Sequence, residues 1–295
     1  MKNKIIFIIN PIAGKGKGKI VESQVQQFFS KKEVDFKTYL TEYNGHATLL
    51  TKSILTQKPT IVVACGGDGT INEVAQTLIG TDIALGIIPI GSGNGLAANL
   101  HIPTDYEKAF EVILNAKQSK IDAGKVNENY FFSNMGLGID AEVIHQYSQK
   151  TTRNFLGYVS ASLKSLLQYR PKKFRIELND NEKIEDEFYF LLCSNSNEAG
   201  YGISFTPKAK LNDGKLDFIA VKKINFIQQI QFSTLVLGKC IEKMKQAKVV
   251  QITNAKFYTN QEKTIAQIDG EAVLIHDKII EVAVIQNALN VIIPN

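Results

Sequence analysis

Cysteine is scarce in this chain and never closely spaced. Cys65, Cys193 and Cys240 are odd in number and far apart, with no C-x-x-C pair. That excludes a zinc ribbon and a disulfide framework, and it fits a reducing, cytoplasmic compartment. Histidine is equally sparse: His46, His101, His145 and His276 show no i, i+4 pairing, so no transition-metal centre is expected. No apolar run approaches the about eighteen residues of a membrane span. The first such run, Ile5–Ile9, is too short for a signal h-region and stops at Asn10-Pro11. The expectation is a chain not exported by that route, soluble or at most attached to a membrane surface. Repeats, low-complexity tracts and long linkers are also missing. The excess of one charge is small, with 34 Lys and Arg against 29 Asp and Glu giving +5, so a nucleic-acid partner is not expected.

What is present is core-forming material. The 295 residues, 44% of them apolar, suffice for two domains. Up to about residue 122, β-rich runs alternate with helical patterns: Ile5–Ile9, Ile20–Lys32, Phe36–Thr41, Ala47–Gln57, Ile61–Cys65, Ile71–Ile79 and Ala84–Pro89. This is the rhythm of a parallel sheet covered by helices, and the unbroken apolar character of Ile5–Ile9 and Thr60–Ala64 suits strands buried on both faces. Beyond Ile121 come closely spaced strand-like segments: Tyr130–Asn134, Phe174–Leu178, Phe188–Ser194, Leu216–Val221, Val249–Phe257, Thr264–Ile268 and Ile279–Ile285. Asn179-Asp180-Asn181 and Asn212-Asp213-Gly214 supply hairpin-type turns, and helices are expected over 140–168 and 226–245. The expected fold is α/β plus β-rich: a parallel-sheet nucleotide domain, 1–122, and a mainly antiparallel β-sandwich domain with helices, 123–287. The final segment, 288–295, is expected to return to the first domain, and the two domains to enclose a cleft.

The functional signal lies in the turns after the first-domain strands. Asn10-Pro11-Ile12-Ala13-Gly14-Lys15 follows Ile9, Gly66-Gly67-Asp68-Gly69-Thr70 follows Cys65, and Pro89-Ile90-Gly91-Ser92-Gly93-Asn94 follows Ile88. At the carboxyl ends of parallel strands, glycines let backbone N–H groups approach phosphate oxygens. The same glycines also serve plain strand-to-helix turns. Known phosphate scaffolds fail on counting: Gly14, Gly16 and Gly18 fit no Walker A frame, neither glycine cluster fits G-x-G-x-x-G, and the protein-kinase and G-x-S-x-G signatures are missing.

Taken in order, the motifs resemble the diacylglycerol kinase catalytic domain family, which includes bacterial lipid kinases and sphingosine kinases. They are Asn10-Pro11, Cys65-Gly66-Gly67-Asp68-Gly69-Thr70-Ile71-Asn72-Glu73, Gly91-Ser92-Gly93-Asn94, Asn134-Met135-Gly136-Leu137-Gly138-Ile139-Asp140-Ala141-Glu142, Leu211-Asn212-Asp213-Gly214 and Asp269-Gly270-Glu271. The resemblance implies an ATP- and Mg²⁺-dependent lipid kinase. It assigns the nucleotide to Asn10, Pro11, Ile12, Ala13, Gly14, Thr41, Gly67, Asp68, Gly69, Thr70, Ile71, Asn72, Glu73 and Ser92. It makes Glu271 the base that takes the acceptor proton, Asp68 a catalytic group holding Mg²⁺, and Asp269 an aid to the metal. Asp140 would recognise the lipid head, and a structural Mg²⁺ would bind Asp213 with the carbonyls of Lys210 and Lys215. Read without the family, Asp68 is also a helix N-cap, Asp269-Gly270-Glu271 an acidic hairpin turn and Asn212-Asp213-Gly214 an ordinary β-turn.

Gly91-Ser92-Gly93-Asn94-Gly95-Leu96-Ala97-Ala98 is closer to the sphingosine-kinase form, which leaves diacylglycerol and a sphingoid base both open as acceptor. Two alternatives stand beside the lipid kinase: an NAD kinase-like enzyme with a soluble acceptor, which Asn72-Glu73 after the turn disfavours, and a nucleotide sensor without catalysis. The expected partner is a lipid substrate reached by transient contact with the inner membrane surface, and the sequence leaves a homodimer open. Membrane contact is read from the apolar positions Phe155, Leu156, Val159, Leu163, Leu166 and Leu167, from Arg170-Pro171-Lys172-Lys173, and from Lys239, Lys243, Lys245 and Lys248 after Leu235–Leu237.

Overall fold

The computed structural model describes residues 4–91, 93–148, 169–198 and 203–295. The chain divides into two compact units, Met1–Asp122 with Gln286–Asn295, and Ala123–Ile285. Two strands, β5 (Gln118–Val126) and β15 (Ile279–Ile292), each begin in one unit and end in the other.

In the first unit, β1 (Lys4–Ile9), β2 (Asp35–Leu40), β3 (Ile61–Gly66) and β4 (Ala84–Pro89) form a parallel sheet in the order β4-β3-β1-β2. The end of β15 adds a parallel strand beside β4 through Asn290 and Val291, which pair with Ala84 and Leu85. Ile5 through Ile9 and Ile61 through Cys65 are all buried, because helices cover the sheet and leave no polar face. The run Ala13–Phe29, α1, is regular helix only past Gly16. Gly14, Lys15 and Gly16 are left-handed, so its first turn is a loop. Val21, Val25 and Phe29 then recur every four residues and pack the helix onto the sheet, with the Phe29 ring 4.9 Å from that of Phe7. Helices α2 (His46–Ile54), α3 (Asp68–Leu78), α4 (Gly95–Asn99) and α5 (Tyr106–Asn115) complete this unit. In α3, Ile71, Val74, Ala75 and Leu78 make the buried stripe.

The second unit is an antiparallel sandwich. It contains β6 (Asn129–Phe131), β7 (Asn134–Gly138), β8 (Lys172–Leu178), β9 (Glu182–Ser194), β10 (Leu216–Lys222), β11 (Ala247–Ile252), β12 (Asn254–Tyr258), β13 (Thr264–Ile268) and β14 (Glu271–Ile275). β9 is the organising strand, paired with β7, β8 and β10. The pairing with β10 jumps from Val221↔Phe190 to Lys222↔Phe188, a bulge that re-aims the side chains on either side of it. Phe188, Leu191 and Cys193 join one apolar core with Phe131, Phe174, Phe218 and Phe257, while Tyr189, Phe190 and Leu192 join another beneath two helices. Those helices are α6 (Ile139–Ser148) and α7 (Phe226–Leu237).

Several expected boundaries change, among them Tyr130–Asn134, which a bend at Phe132-Ser133 divides between β6 and β7, and Ile279–Ile285, which continues to Ile292. Val249–Phe257 is two strands broken at Thr253, the helix expected over 226–245 stops at Gly238, and Asn212-Asp213-Gly214 leads into β10 rather than joining two strands. Of the helix expected over 140–168, residues up to Ser148 are helical, and the apolar positions Phe155 to Leu167 lie outside the described residues.

Candidate active site

Three loops leave the carboxyl ends of β1, β3 and β4 and are tied together by side chains. Asn10 donates its backbone N–H to Cys65 O (2.9 Å), its Nδ2 to Thr70 Oγ1 (3.3 Å), and accepts Ile12 N–H on Oδ1 (3.1 Å). Ile90 N–H reaches Gly66 O at 2.8 Å. The Asp68 carboxylate accepts the backbone N–H of Asn94 and of Gly95, each at 2.8 Å. One residue of the β3 loop therefore sets the course of the β4 loop. Two glycines are dictated by these approaches. Gly14 is left-handed, and a Cβ there would collide with the Ile90 carbonyl; a Cβ at Gly93 would lie 2.7 Å from Asp68 Oδ2. Helix α3 begins at Asp68, so its unpaired N-terminal amides belong to the same loop cluster.

Burial raises the Asp68 carboxyl above its ordinary value, and the amides of Asn94 and Gly95 pull it back. Glu73, one turn further along α3, accepts Gly45 N–H (2.9 Å) and Thr48 N–H (3.3 Å) at the start of α2. Its carboxylate ties α3 to the start of α2. Thr41 is buried and follows β2, with its N–H on Ile9 O at 2.9 Å. Ser92 lies outside the described residues.

The second unit builds a separate polar cluster around the β13–β14 hairpin. Asp269 and Gly270 have φ of 47° and 80°, which fits a primed hairpin turn and launches Glu271 as the exposed first residue of β14. Asp269 accepts three backbone N–H groups: Phe132 on Oδ2 (2.9 Å), and Ser133 (2.8 Å) and Asn134 (3.0 Å) on Oδ1. The expected aid to a metal is thus engaged in clamping the 132–134 segment. Gln267 accepts Gly270 N–H at 2.9 Å and donates a short hydrogen bond to Asn134 Oδ1. Asn134 and Gln267, both buried, hold the turn that precedes Glu271. Asn134 opens the Asn134–Glu142 motif, while Gln267 carries no local sequence signal.

Asp140, in the first turn of α6, lies against Gln267, and its Oδ2 has no hydrogen-bond partner among the described residues. Asp213 accepts Lys215 N–H (3.1 Å) and Gln251 Nε2 (3.4 Å), while Lys210 is exposed beside it. Asp217 nearby is raised first by burial and further by the Asp213 charge. Among the described residues no three His, Cys, Asp or Glu side chains converge.

Residues 4–126 match the diacylglycerol kinase catalytic domain, and 133–293 match the YegS C-terminal NAD kinase beta sandwich-like domain. A diacylglycerol kinase of Bacillus subtilis is 31% identical over 271 residues, covering 90% of this chain and 88% of the relative. The chain belongs to the diacylglycerol kinase family. It is a lipid kinase, an enzyme that transfers phosphate to an alcohol. The fold agrees: a crystal structure of a diacylglycerol kinase from Bacillus anthracis superposes with a TM-score of 0.77 at 21% identity, covering 99% of this chain and 97% of that one. An NAD kinase from Archaeoglobus fulgidus, solved with ATP, superposes at 0.52 and 11% identity over 99% and 93% of the two chains, which shows a shared fold alone.

For this lipid kinase the Asp140 carboxyl predicts a pH signature. Burial pushes it up to about 6, against a smaller opposing effect of the Gln267 amide. The folded state therefore binds that proton more tightly than the unfolded chain, and stability is lost as pH rises from about 4 through 6. Asp140→Asn removes the buried charge. It is expected to raise stability at pH 8 by up to roughly 3 kcal/mol, the equivalent of that pKa difference, with the gain vanishing near pH 4. Denaturant melts of both proteins at the two pH values check this. A gain independent of pH would assign the effect to packing instead.

Proposed function

We propose that this protein phosphorylates the hydroxyl of diacylglycerol with the γ-phosphoryl group of ATP, in a reaction that requires Mg²⁺. The observation that carries the reading is the trio of strand-end loops locked to one another by Asn10 and Asp68, a backbone-lined phosphate cradle of the kind open parallel sheets offer. In this reading the first unit holds ATP through Asn10 to Gly14, Thr41 and the start of α3. The second unit supplies the base. Glu271 accepts the proton of the acceptor hydroxyl as its oxygen forms a bond to the γ-phosphorus. The bond from that phosphorus to the β–γ bridging oxygen breaks, and ADP leaves.

Mg²⁺ would neutralise phosphate charge when bound. The donors fit a hard cation. Asp68 Oδ2 and Oδ1 accept the Asn94 and Gly95 N–H groups and are oxygen donors of the kind such a cation takes, and Asn94 Oδ1 is buried without a partner among the described residues. Burial first and then the Asp213 charge raise Asp217, and this carboxylate pair would hold a second cation together with the carbonyls of Lys210 and Lys215.

A sphingoid base is the second acceptor, favoured by the Gly91-Ser92-Gly93-Asn94-Gly95 sequence. Incubation with labelled ATP and Mg²⁺ against diacylglycerol, sphingosine and NAD decides the matter. Phosphatidic acid is the expected product, with no turnover in chelator. Label in the sphingosine product alone would move the acceptor assignment, and NADP alone would replace it.

A further inference from the structure

Helix α7 turns apolar side chains outward. Phe232 and Val236 are buried with Tyr189, Phe190 and Ile241, yet Phe226, Ile227, Ile230 and Leu237 are 61%, 77%, 55% and 76% exposed. At 100° per residue these four positions fall within one third of the helix circumference. The twelve residues from Phe226 to Leu237 include no charge, only glutamine, serine and threonine between the apolar groups. A helix face that merely met water would be expected to carry charges there.

The charges around this helix are sorted. Ahead of it, Lys222 pairs with Asp186 and Lys223 with Glu187 at 2.7 and 2.8 Å; further on past it, Lys248 pairs with Glu182 at 2.7 Å. Immediately after it come Lys239, Lys243 and Lys245, all exposed and in no ion pair among the described residues. Glu242, which lies among them, pairs with Lys208 at 4.0 Å, so among the described residues the unpaired charge that follows the helix is cationic. A second copy of this chain would bring the same unpaired cations to the contact, whereas an anionic bilayer offers both hydrocarbon and phosphate.

We propose that α7 is a bilayer-docking helix, lying in the interface with Phe226, Ile227, Ile230 and Leu237 among the acyl chains and Lys239, Lys243 and Lys245 on anionic headgroups. The inference deepens the lipid-acceptor reading and rests on it for its purpose, but its readout is binding and not turnover. Full-length protein is sedimented with phosphatidylglycerol-containing vesicles and with pure phosphatidylcholine vesicles. Wild type is expected to bind the anionic vesicles, with Ile227→Ser/Ile230→Ser/Leu237→Ser at least tenfold weaker. Removing the three lysines as glutamine should cost about fivefold each, and added salt should weaken wild type and the serine variant more than the glutamine variant. Both variants should phosphorylate a dispersed short-chain lipid like wild type, since none of the changed residues belongs to the site. Vesicle binding that the variants lose, with no lipid phosphorylated by any of the proteins, would support docking and overturn the acceptor reading. Equal sedimentation of all three proteins overturns docking. So does a wild-type dimer, seen by light scattering, that the serine variant splits into monomers.

Discussion

Glu271→Gln is expected to lower kcat by about two to four orders of magnitude while ATP affinity stays within a factor of two, the range expected when a positioned general base is removed. The structure gives a reason for a specific effect. Glu271 stands at the start of β14, and the turn that aims it is held from behind by Asp269 on three backbone N–H groups and by Gln267 on Gly270 N–H. Glutamine keeps the shape and hydrogen-bonding reach of the side chain, so the turn should be undisturbed and only proton acceptance is lost. Turnover measured against pH, with ATP binding followed by calorimetry, checks the split. A collapse of ATP affinity together with kcat would move Glu271 into the nucleotide and metal site.

Asp68→Ala should cost turnover about a thousandfold, the second large effect. Two losses coincide. The amides of Asn94 and Gly95 lose a shared carboxylate acceptor, with charge-assisted hydrogen bonds worth about 1.5–3 kcal/mol each, and the proposed Mg²⁺ loses a ligand. The thermal midpoint should change little by comparison, because removing a carboxylate that burial already disfavours returns part of its desolvation cost. ATP binding should weaken as the β4 loop loosens. A folded variant that keeps kcat/KM within tenfold of wild type would remove Asp68 from both tasks.

Much of the architecture was legible because burial on both faces leaves an unmistakable mark on composition. Ile5–Ile9, Ile61–Cys65 and Ala84–Pro89 are unbroken apolar runs, and each is a buried parallel strand. β5 and β14 were not legible. β5 reads Gln-Ser-Lys-Ile-Asp-Ala-Gly-Lys-Val and β14 follows an acidic turn, so neither shows period-two alternation over enough residues. Val249–Phe257 looked like one strand because its propensity is continuous. It is two, because β11 pairs with β10 and β12 with β8 and β15, and one segment cannot follow both partners without a break.

By itself the sequence determined the fold class, the phosphate-binding turns and the family, because each rests on residues that are neighbours in the chain: an apolar run, a glycine turn, an ordered set of short motifs. The tertiary structure alone decided which backbone amides the carboxylates hold. Asp68 binds amides 26 and 27 positions away, Glu73 binds amides 28 and 25 away, and Asp269 reaches 137, 136 and 135 residues back to Phe132, Ser133 and Asn134. A backbone N–H has no residue-type signature, so a side chain that bonds to one leaves no pattern in its partner's sequence. Only the chain's return path, fixed by strand pairing and core packing, brings donor and acceptor within 3 Å or so.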